Sequence, residues 1–197
     1  MKEGKLASLI KAFYPEYYIW CEYPAEECIA IRKVKEQWGV LGNFYPSLLV
    51  VDGLEFVNSE QLFQMMKFTD AETLSSIYEK RGLPLKWAAK SAEKNGMRRA
   101  DWGKIIIDCM KFCLQIKYSQ SEDFRKALEA TKGYYIVEDQ SSNHKKTADT
   151  WGCKLVNGCY EGSNLLGRLL MELRDCGALE YTLPEDALDF IKALKTA

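Results

Sequence analysis

Three polar side chains interrupt the apolar stretch VNSEQLFQMMKF, which runs from Val57 to Phe68. Glu60, Gln64 and Lys67 follow one another at spacings of four and three residues. On an α-helix these spacings place the three side chains in one narrow line, surrounded by leucine, phenylalanine and methionine. We call these three residues the polar seam. A carboxylate, an amide and an ammonium group together can hold a polyhydroxylated, phosphorylated ligand.

The polar seam also has simpler interpretations. Glu60 lies in the expected first turn of the helix, where the helix dipole stabilises a carboxylate that has no catalytic role. Lys67 is equally well interpreted as a salt-bridge partner of Glu60 or as a solvated side chain. The presence of all three groups together, rather than any one of them, favours a ligand-binding site.

Two tryptophans at expected loop ends predict a surface that stacks on a heterocycle. Trp102 follows the expected helix cap Asp101, and Trp151 precedes Gly152 after a polar loop. Stacking of a base on an aromatic ring contributes roughly 1 to 3 kcal/mol. The alternative is that each ring fills the core.

The segment YEGSN, followed by LLGRLLMELR, predicts a helix start that binds phosphate. Arg168 lies four residues after Asn164, on the same helix face. Backbone N–H groups at the helix start and the guanidinium group form a plausible phosphate cradle. A helix start without a ligand accounts for the same residues.

The composition limits the classes of function. The 197 residues are 47% hydrophobic and 28% charged, which is typical of a globular protein large enough to bury one full core. There are 27 lysines and arginines against 28 acidic residues, so an anionic partner must be met by a local basic patch. No apolar run reaches the ~20 residues of a membrane helix, and the start MKEGKLASLIKAF lacks signal-peptide features. We therefore expect a cytoplasmic protein without membrane contact.

The cysteines and histidine argue against a metal centre. The seven cysteines are an odd number without a repeating framework, which predicts buried thiols in a reducing compartment. Cys109 and Cys113 are one helical turn apart, but His144 is the only histidine and there is no Cys-x-x-Cys pair. We predict no metal and no cofactor.

Periodicity predicts an α+β fold, a mostly helical single domain with a small antiparallel sheet. Asp52-Gly53 predicts a tight hairpin turn, and Asn58 or Ser59 an N-cap for the helix that carries the polar seam. CIAIRKV and GYYIVED are predicted strands. Helices are predicted at 5–13, 71–81, 84–93, 101–118 and 121–131, then in GSNLLGRLLMELR and in PEDALDFIKALK, with Pro184 at its start.

The loop from Asp139 to Thr150 is longer than an ordinary connection and carries His144, Lys145 and Lys146. This basic cluster predicts an approach to nucleic-acid phosphates. A solvated surface loop accounts equally well for the same residues.

Six segments together resemble the NADAR family, also called YbiA-like proteins. They occur in the family's order within residues 36–175: WGVLGNFYPS, NSEQLFQMMKF, ADWGKIIIDCMKFCLQIKY, YYIVE, WG and GSNLLGRLLMELR. The resemblance implies a mainly helical α+β fold. It also implies that the protein hydrolyses N-glycosidic bonds of ribosylated heterocycles. It divides the chain into an N-terminal extension at 1–35, a catalytic domain at 36–176 and a C-terminal helix at 177–197.

The family implies two substrate classes. The first, which the basic loop favours, is ADP-ribosylated guanine in nucleic acid, from which ADP-ribose is removed. The alternative is a ribosylated small molecule, a phosphoribosylamino-pyrimidine intermediate of riboflavin biosynthesis. A non-catalytic module that binds ADP-ribose or a nucleotide is the competing class, although it has no need of Glu60. The oligomeric state is left open.

By its motifs the resemblance implies catalytic roles for Glu60 and Lys67. Lys67 is expected to bind phosphate, to act as a proton donor or to form a Schiff base, and these three roles stay open. The family's helix start matches Gly162, Asn164 and Gly167. Together with the spacing arguments above, the residues expected to bind substrate are Asn43, Phe44, Gln64, Trp102, Glu138, Asp149, Trp151, Gly152, Asn164 and Arg168.

The chain departs from the family pattern at three places and in the segment before Trp151, which is longer than expected. Gly42 stands where serine is usual, and Gln61 where histidine is usual. Ala148 occupies the usual aspartate position three residues before Trp151, with Asp149 one step closer. These departures affect the expected substrate more than the expected bond.

Overall fold

The computed structural model describes residues 5–143 and 148–196, and these residues form two compact units. The first unit contains residues 5–42 and 122–179, apart from 144–147, and the second contains 43–121 and 180–196. This division differs from the extension, domain and C-terminal helix expected from the sequence, which stay a prediction.

The described residues contain α-helices in both units and short strands. The helices are α1 (Lys5–Phe13), α2 (Ser59–Met65), α3 (Ala71–Tyr78), α4 (Gly82–Lys94), α5 (Trp102–Gln120), α6 (Glu122–Glu129), α7 (Leu165–Cys176) and α8 (Asp189–Thr196). The strands are β1 (Cys21–Pro24), β2 (Cys28–Ile31), β3 (Leu49–Val51), β4 (Leu54–Phe56), β5 (Tyr135–Glu138), β6 (Lys154–Val156) and β7 (Cys159–Gly162). The predicted α+β class with mostly helical content is confirmed.

The first unit is built on two small sheets. Strands β1, β7 and β6 form an antiparallel sheet in that order, whereas β2 pairs with β5 in parallel. Helix α7 packs against β5. Tyr23, Val137, Cys153 and Tyr160 form a buried cluster. The parallel pair was not predicted, because each strand was identified without its partner.

The second unit packs helices around a hairpin. Strands β3 and β4 are antiparallel, and the turn residues Asp52 and Gly53 have φ angles of 48° and 76°, as predicted for a primed turn. Helix α2 packs against α3 and α5, and α3 packs against α4 and α8. Helix α8 begins at Asp189, so its predicted start at Pro184 is wrong.

Helix caps follow the sequence in one case and not in another. The Asn58 side chain accepts a hydrogen bond from the Gln61 N–H at 2.9 Å, as predicted for an N-cap. Asp101 makes no cap hydrogen bond; its carboxylate instead pairs with Arg99, with Nε to Oδ1 at 2.6 Å. A side chain with a strong charged partner nearby is drawn away from the weaker cap contact.

The thiols are free, and the buried ones are inert. All seven cysteines lack disulfide bonds. Burial raises the pKa of Cys109 to about 12 and raises that of Cys113 well above its ordinary value. Within residues 5–143 and 148–196, no group of three or more metal-binding side chains is placed to hold an ion. In the same ranges, no helix is long and apolar enough to cross a membrane.

Lys117 on α5 is fully buried, with its ammonium group 6.0 Å from the ring centre of Tyr45. Removal from water disfavours the charged form and lowers the pKa of Lys117 to about 7. Between this pKa and the ordinary value near 10.5, the unfolded chain binds more protons than the folded one. The contribution of Lys117 to stability is therefore lost as the pH falls through this window.

This difference makes the stability of the protein depend on pH. Relative to Lys117→Met, the wild type is expected to gain at least ~1 kcal/mol in free energy of unfolding between pH 7 and pH 9. Urea unfolding of both proteins at each pH measures this gain. The control is Lys104→Met, at an exposed position on the same helix, which should show no such gain. A constant difference between Lys117→Met and wild type would contradict the shifted pKa.

Candidate active site

The polar seam begins on α2, and every residue of this helix is buried. Glu60 is 6% exposed, and its Oε1 accepts a hydrogen bond from Gln64 Nε2 at 2.8 Å. The two residues are four apart, so the helix itself places the amide beside the carboxylate. Gln64 thus fixes the orientation of a carboxylate that the core shields from water.

Asn43 holds the start of α2. Its carbonyl oxygen accepts from the Glu60 N–H at 3.0 Å and from Ser59 Oγ at 3.3 Å. Its side-chain oxygen accepts from Ser59 Oγ at 3.0 Å, and its Nδ2 donates to the sulfur of Met110 at 3.4 Å. These contacts give Asn43 a positioning role at Glu60, while its predicted contact with substrate stays a prediction.

Phe44 is half-buried beside the same helix start. Its carbonyl oxygen accepts from Asn58 Nδ2 at 3.3 Å, and the Lys86 ammonium group lies 5.5 Å from the centre of its ring. The backbone of Phe44 therefore contacts the cap of α2, and its ring lies near a cation of α4. Its predicted contact with substrate is not tested by these distances.

Lys67 lies two residues beyond the end of α2. Its Nζ forms an ion pair with Glu93 Oε1 of α4 at 2.7 Å and lies 5.6 Å from the ring centres of Phe63 and Trp102. The ion pair with Glu60 that the sequence allowed is thus replaced by one with Glu93. The aromatic faces add cation–π attraction to the ammonium group.

Trp102 is a core side chain. It is 2% exposed, and its ring centre lies 5.2 Å from that of Phe63 in a tilted arrangement. The stacking surface predicted at this position is replaced by packing, because protein atoms already cover the ring. Trp102 supports Lys67 and so contributes to the site through another residue.

Glu93 was not found from the sequence. In the sequence of its helix it is one acidic residue among lysines, a pattern that is typical of a solvated face. Its carboxylate pairs with Lys67 and also lies 3.5 Å from Arg98. A pairing between residues 26 positions apart leaves no signal in a single sequence.

From the ion pair between Lys67 and Glu93 we predict a coupled effect of the two residues on activity. Glu93→Gln is expected to lower kcat/KM roughly 5- to 10-fold, or about 1 kcal/mol, because a partly exposed ion pair no longer fixes Lys67. A double-mutant cycle with Lys67→Gln measures the coupling, and the double variant should cost little more than Lys67→Gln alone. Glu79→Gln, at an exposed position after α3, is the control. Additive losses would show that Glu93 acts independently of Lys67.

Other predicted residues lie in the first unit, where Asn164 joins α7 to β5. It has a left-handed backbone with φ of 47° and is fully buried. Its Oδ1 accepts from the Glu138 N–H at 3.1 Å, and its Nδ2 donates to the Ile136 carbonyl at 2.8 Å. Asn164 thereby positions the β5 backbone at Glu138, and substrate binding by either residue stays a prediction.

Two backbone donors of the predicted phosphate cradle at the start of α7 already have protein acceptors. The Leu165 and Leu166 N–H groups donate to the carbonyls of Thr150 and Trp151, at 3.1 and 3.0 Å. Backbone donors that already have partners are not free to bind an anion. The preceding loop thus caps the helix through these two donors, and phosphate binding at this helix start stays a prediction.

Arg168, which was expected to complete the cradle, also contacts protein. Its Nη1 and Nη2 donate to the carbonyls of Tyr17 and Glu16, at 3.0 and 3.2 Å, and the guanidinium lies 5.5 Å from the centre of the Tyr17 ring. These bonds tie α7 to the segment after α1. Its predicted contact with phosphate stays a prediction.

A tight turn presents Trp151. Asp149 Oδ1 accepts from the Trp151 N–H at 2.9 Å and from Gln140 Nε2 at 2.6 Å. A Cβ on Gly152 would stand 2.4 Å from the Glu138 carbonyl oxygen, so this position requires glycine. Trp151 is partly exposed, and its stacking role is still a prediction. The basic cluster His144, Lys145 and Lys146 lies outside the described residues.

The sequence also did not predict an ion pair beside this turn. Arg32 Nε donates to Asp139 Oδ2 at 2.8 Å, and Tyr160 OH donates to the same oxygen at 3.0 Å. Burial acts to raise the pKa of Asp139, but the hydrogen bonds from Arg32, Ser141 and Tyr160 outweigh it and lower the pKa. The pair connects the ends of the parallel strands β2 and β5.

Comparison with known proteins identifies the family. The NADAR domain matches residues 31–176, which is well over half of the chain. The chain belongs to the NADAR domain family. The resemblance drawn from the motifs is thus confirmed, and the polar seam and the α7 start both lie within the NADAR segment.

Two curated relatives carry functional names. N-glycosidase YbiA of Escherichia coli (strain K12) is 30% identical over 152 residues, which cover 77% of this chain and 89% of YbiA. A riboflavin biosynthesis protein of Vibrio vulnificus (strain YJ016) is 28% identical over 170 residues. That match covers 86% of this chain but only 43% of the Vibrio protein.

The fold has a solved counterpart. The NMR structure of E. coli YbiA is similar with a TM-score of 0.60 at 28% sequence identity, and the match covers 76% of this chain and 83% of that chain. The NADAR fold is therefore shared with YbiA over most of both chains.

Proposed function

We propose that the protein is an N-glycosidase that hydrolyses the bond between ribose and a nitrogen heterocycle. The observation that carries this proposal is the carboxylate of Glu60, 6% exposed and oriented by Gln64 at 2.8 Å. The relative named N-glycosidase YbiA supports it independently. A module that only binds a nucleotide has no need of a buried, oriented carboxylate.

The chemistry explains why a carboxylate is needed. Breaking a ribosyl C–N bond builds positive, oxocarbenium-like charge on the sugar and negative charge on the departing nitrogen. Glu60 stabilises the first charge, and its shielding from water strengthens this interaction. Its oxygen can also orient the water that attacks the sugar carbon. Gln64 keeps the carboxylate in one orientation, which avoids reorganisation during the reaction.

Lys67 has three candidate roles, and its contacts favour an electrostatic one. Its ammonium group pairs with Glu93 at 2.7 Å and lies 5.6 Å from the ring centre of Trp102, the first residue of α5. Such a charge suits binding of a phosphate or stabilisation of the departing base. Formation of a Schiff base would require the amine to lose its proton and leave this ion pair.

The first substrate that we propose is ADP-ribosylated guanine in nucleic acid, on the basis of the basic residues of the loop between Asp139 and Thr150. The second candidate is a phosphoribosylamino-pyrimidine intermediate of riboflavin biosynthesis. The name of the Vibrio relative favours this second candidate. Both reactions cleave the same type of bond, so the role of Glu60 is common to them.

The test is incubation with each substrate, followed by chromatography of the products. The proposal expects the wild type either to release ADP-ribose from the modified nucleic acid, leaving unmodified guanine in the strand, or to release free pyrimidine base and sugar phosphate from the riboflavin intermediate. Glu60→Gln serves as the inactive control. Binding of ADP-ribose without release from any substrate would instead identify a binding module.

Trp151 gives a further prediction in the first unit. Trp151→Ala is expected to weaken nucleotide binding by roughly 1 to 3 kcal/mol, which is the contribution of a lost stacking contact. Isothermal titration with ADP-ribose measures the change, and Trp151→Phe should retain most of the affinity. Unchanged affinity combined with a clearly lower melting temperature would show that the ring is a core residue.

A further inference from the structure

Helix α4 and its flanks concentrate positive charge that the overall composition hides. Residues 80–99 contain seven lysines and arginines, and Glu93 is their only acidic residue. The segment therefore has a net charge of +6 in a chain whose net charge is -1. The local basic patch that an anionic partner requires is present here.

One side of α4 combines this charge with exposed apolar side chains. We call it the α4 outer face, and it consists of Leu83, Lys86, Trp87, Lys90 and Lys94. Spacings of three and four residues place all five within roughly 100° of the helix circumference. The opposite side, with Leu85 and Ala89 fully buried, packs into the second unit. The fold thus directs this face to solvent.

Trp87 is the most conspicuous member of the α4 outer face. It is 64% exposed, the largest exposed fraction among the exposed large hydrophobic side chains of the described chain. Leu83, one turn earlier, is 58% exposed. Large exposed apolar side chains grouped together mark interaction sites. An indole ring offers a broad face for stacking.

The lysines beside Trp87 are available for an anion. Within the part of the chain that the structure describes, Lys90 and Lys94 form no ion pair, whereas Lys126 and Lys132 pair with acidic residues of their own segments. Lys90 and Lys94 are one turn apart, about 6 Å along the helix. Two uncompensated cations in this arrangement can contact successive phosphates of an extended strand.

We propose that the α4 outer face binds single-stranded nucleic acid, with Trp87 stacked on a base and Lys90 and Lys94 at the phosphates. An aromatic platform flanked by cations is the combination by which proteins bind single strands. An anionic membrane is a poorer fit, because Leu83 and Trp87 are the only large apolar side chains of this face, and interfacial helices bury a wide apolar face. The inference goes beyond the proposed reaction, since it concerns an unmodified strand that carries no ADP-ribosyl group.

The test measures anisotropy of a labelled, unmodified single strand of about 12 nucleotides at about 50 and 200 mM salt. At the lower salt, Lys90→Gln/Lys94→Gln should weaken binding at least ~10-fold and reduce the salt slope by about 1.4. Trp87→Ala should weaken it roughly 5- to 150-fold with the slope retained, and Trp87→Phe should restore much of the loss. No turnover is needed, so the result stands whether or not hydrolysis is found.

The matched control is Lys126→Gln/Lys132→Gln, which removes the same charge from exposed positions on another helix and just after it. This control should bind like the wild type. Equal weakening in the control would overturn the proposal, because binding would then follow net charge alone. Absence of wild-type binding at about 50 mM salt would also overturn it. Binding to phosphatidylserine vesicles that depends on α4, without binding to the strand, would overturn the proposal as well.

Discussion

Glu60→Gln is expected to lower the turnover number at least ~100-fold, which corresponds to about 2.7 kcal/mol in the activation barrier. The substitution keeps the shape of the side chain, and its remaining oxygen can still accept the hydrogen bond from Gln64. Only the negative charge is removed. Because the site is shielded from water, that charge acts strongly on the oxocarbenium-like sugar. The fold should stay intact.

The competing explanation is that Glu60 only stabilises the first turn of α2 through the helix dipole. Glu72 tests this, because it is an exposed glutamate in the first turn of α3 in the same unit. Glu72→Gln should lower the melting temperature slightly and leave turnover unchanged. Steady-state turnover and thermal unfolding measured on both variants separate the two effects. Near-wild-type turnover in Glu60→Gln would remove its catalytic assignment.

Local features of the second unit could be predicted from the sequence because they depend on short spacings. The four-residue step from Glu60 to Gln64 gives a hydrogen bond on any helix, and Asn58 caps that helix through a donor three residues away. The turn at Asp52-Gly53 follows equally from two adjacent residues. In each case the partner lies within one turn, so no tertiary information is needed.

The contacts of Lys67 could not be predicted from short spacings. The three-residue step from Gln64 predicts a continued line only if the helix continues, but α2 ends at Met65. Beyond the helix end, tertiary partners determine the side-chain direction, and here they are Glu93 and the ring of Trp102. Neither partner can be identified by periodicity.

The occupied backbone donors at the start of α7 could not be predicted, for a related reason. A glycine-rich helix start predicts free N–H groups, and the sequence does not show which distant carbonyls are near. In the structure, the carbonyls of Thr150 and Trp151 occupy those donors. The side chain of Asn164, expected to face a ligand, instead holds β5.

These contacts make Gly167 a sensitive position. It lies in the first turn of α7, against β5. A Cβ at this position would stand 2.1 Å from the Ile136 carbonyl oxygen and 2.6 Å from both side-chain polar atoms of Asn164. The first neighbour is backbone, so the collision cannot be relieved by a side-chain rotation.

Gly167→Ala is therefore expected to lower the free energy of unfolding by at least ~3 kcal/mol, because overpacking adds to the loss of buried hydrogen bonds between Asn164 and β5. Gly158→Ala is the control: it has nothing within 4 Å, and its cost is limited to about 1 kcal/mol of strain at a φ of 85°. Urea unfolding measures both variants. Equal losses in the two would mean that α7 can move away from β5 at little cost, and the close contact at Gly167 would then have no special role in holding Glu138.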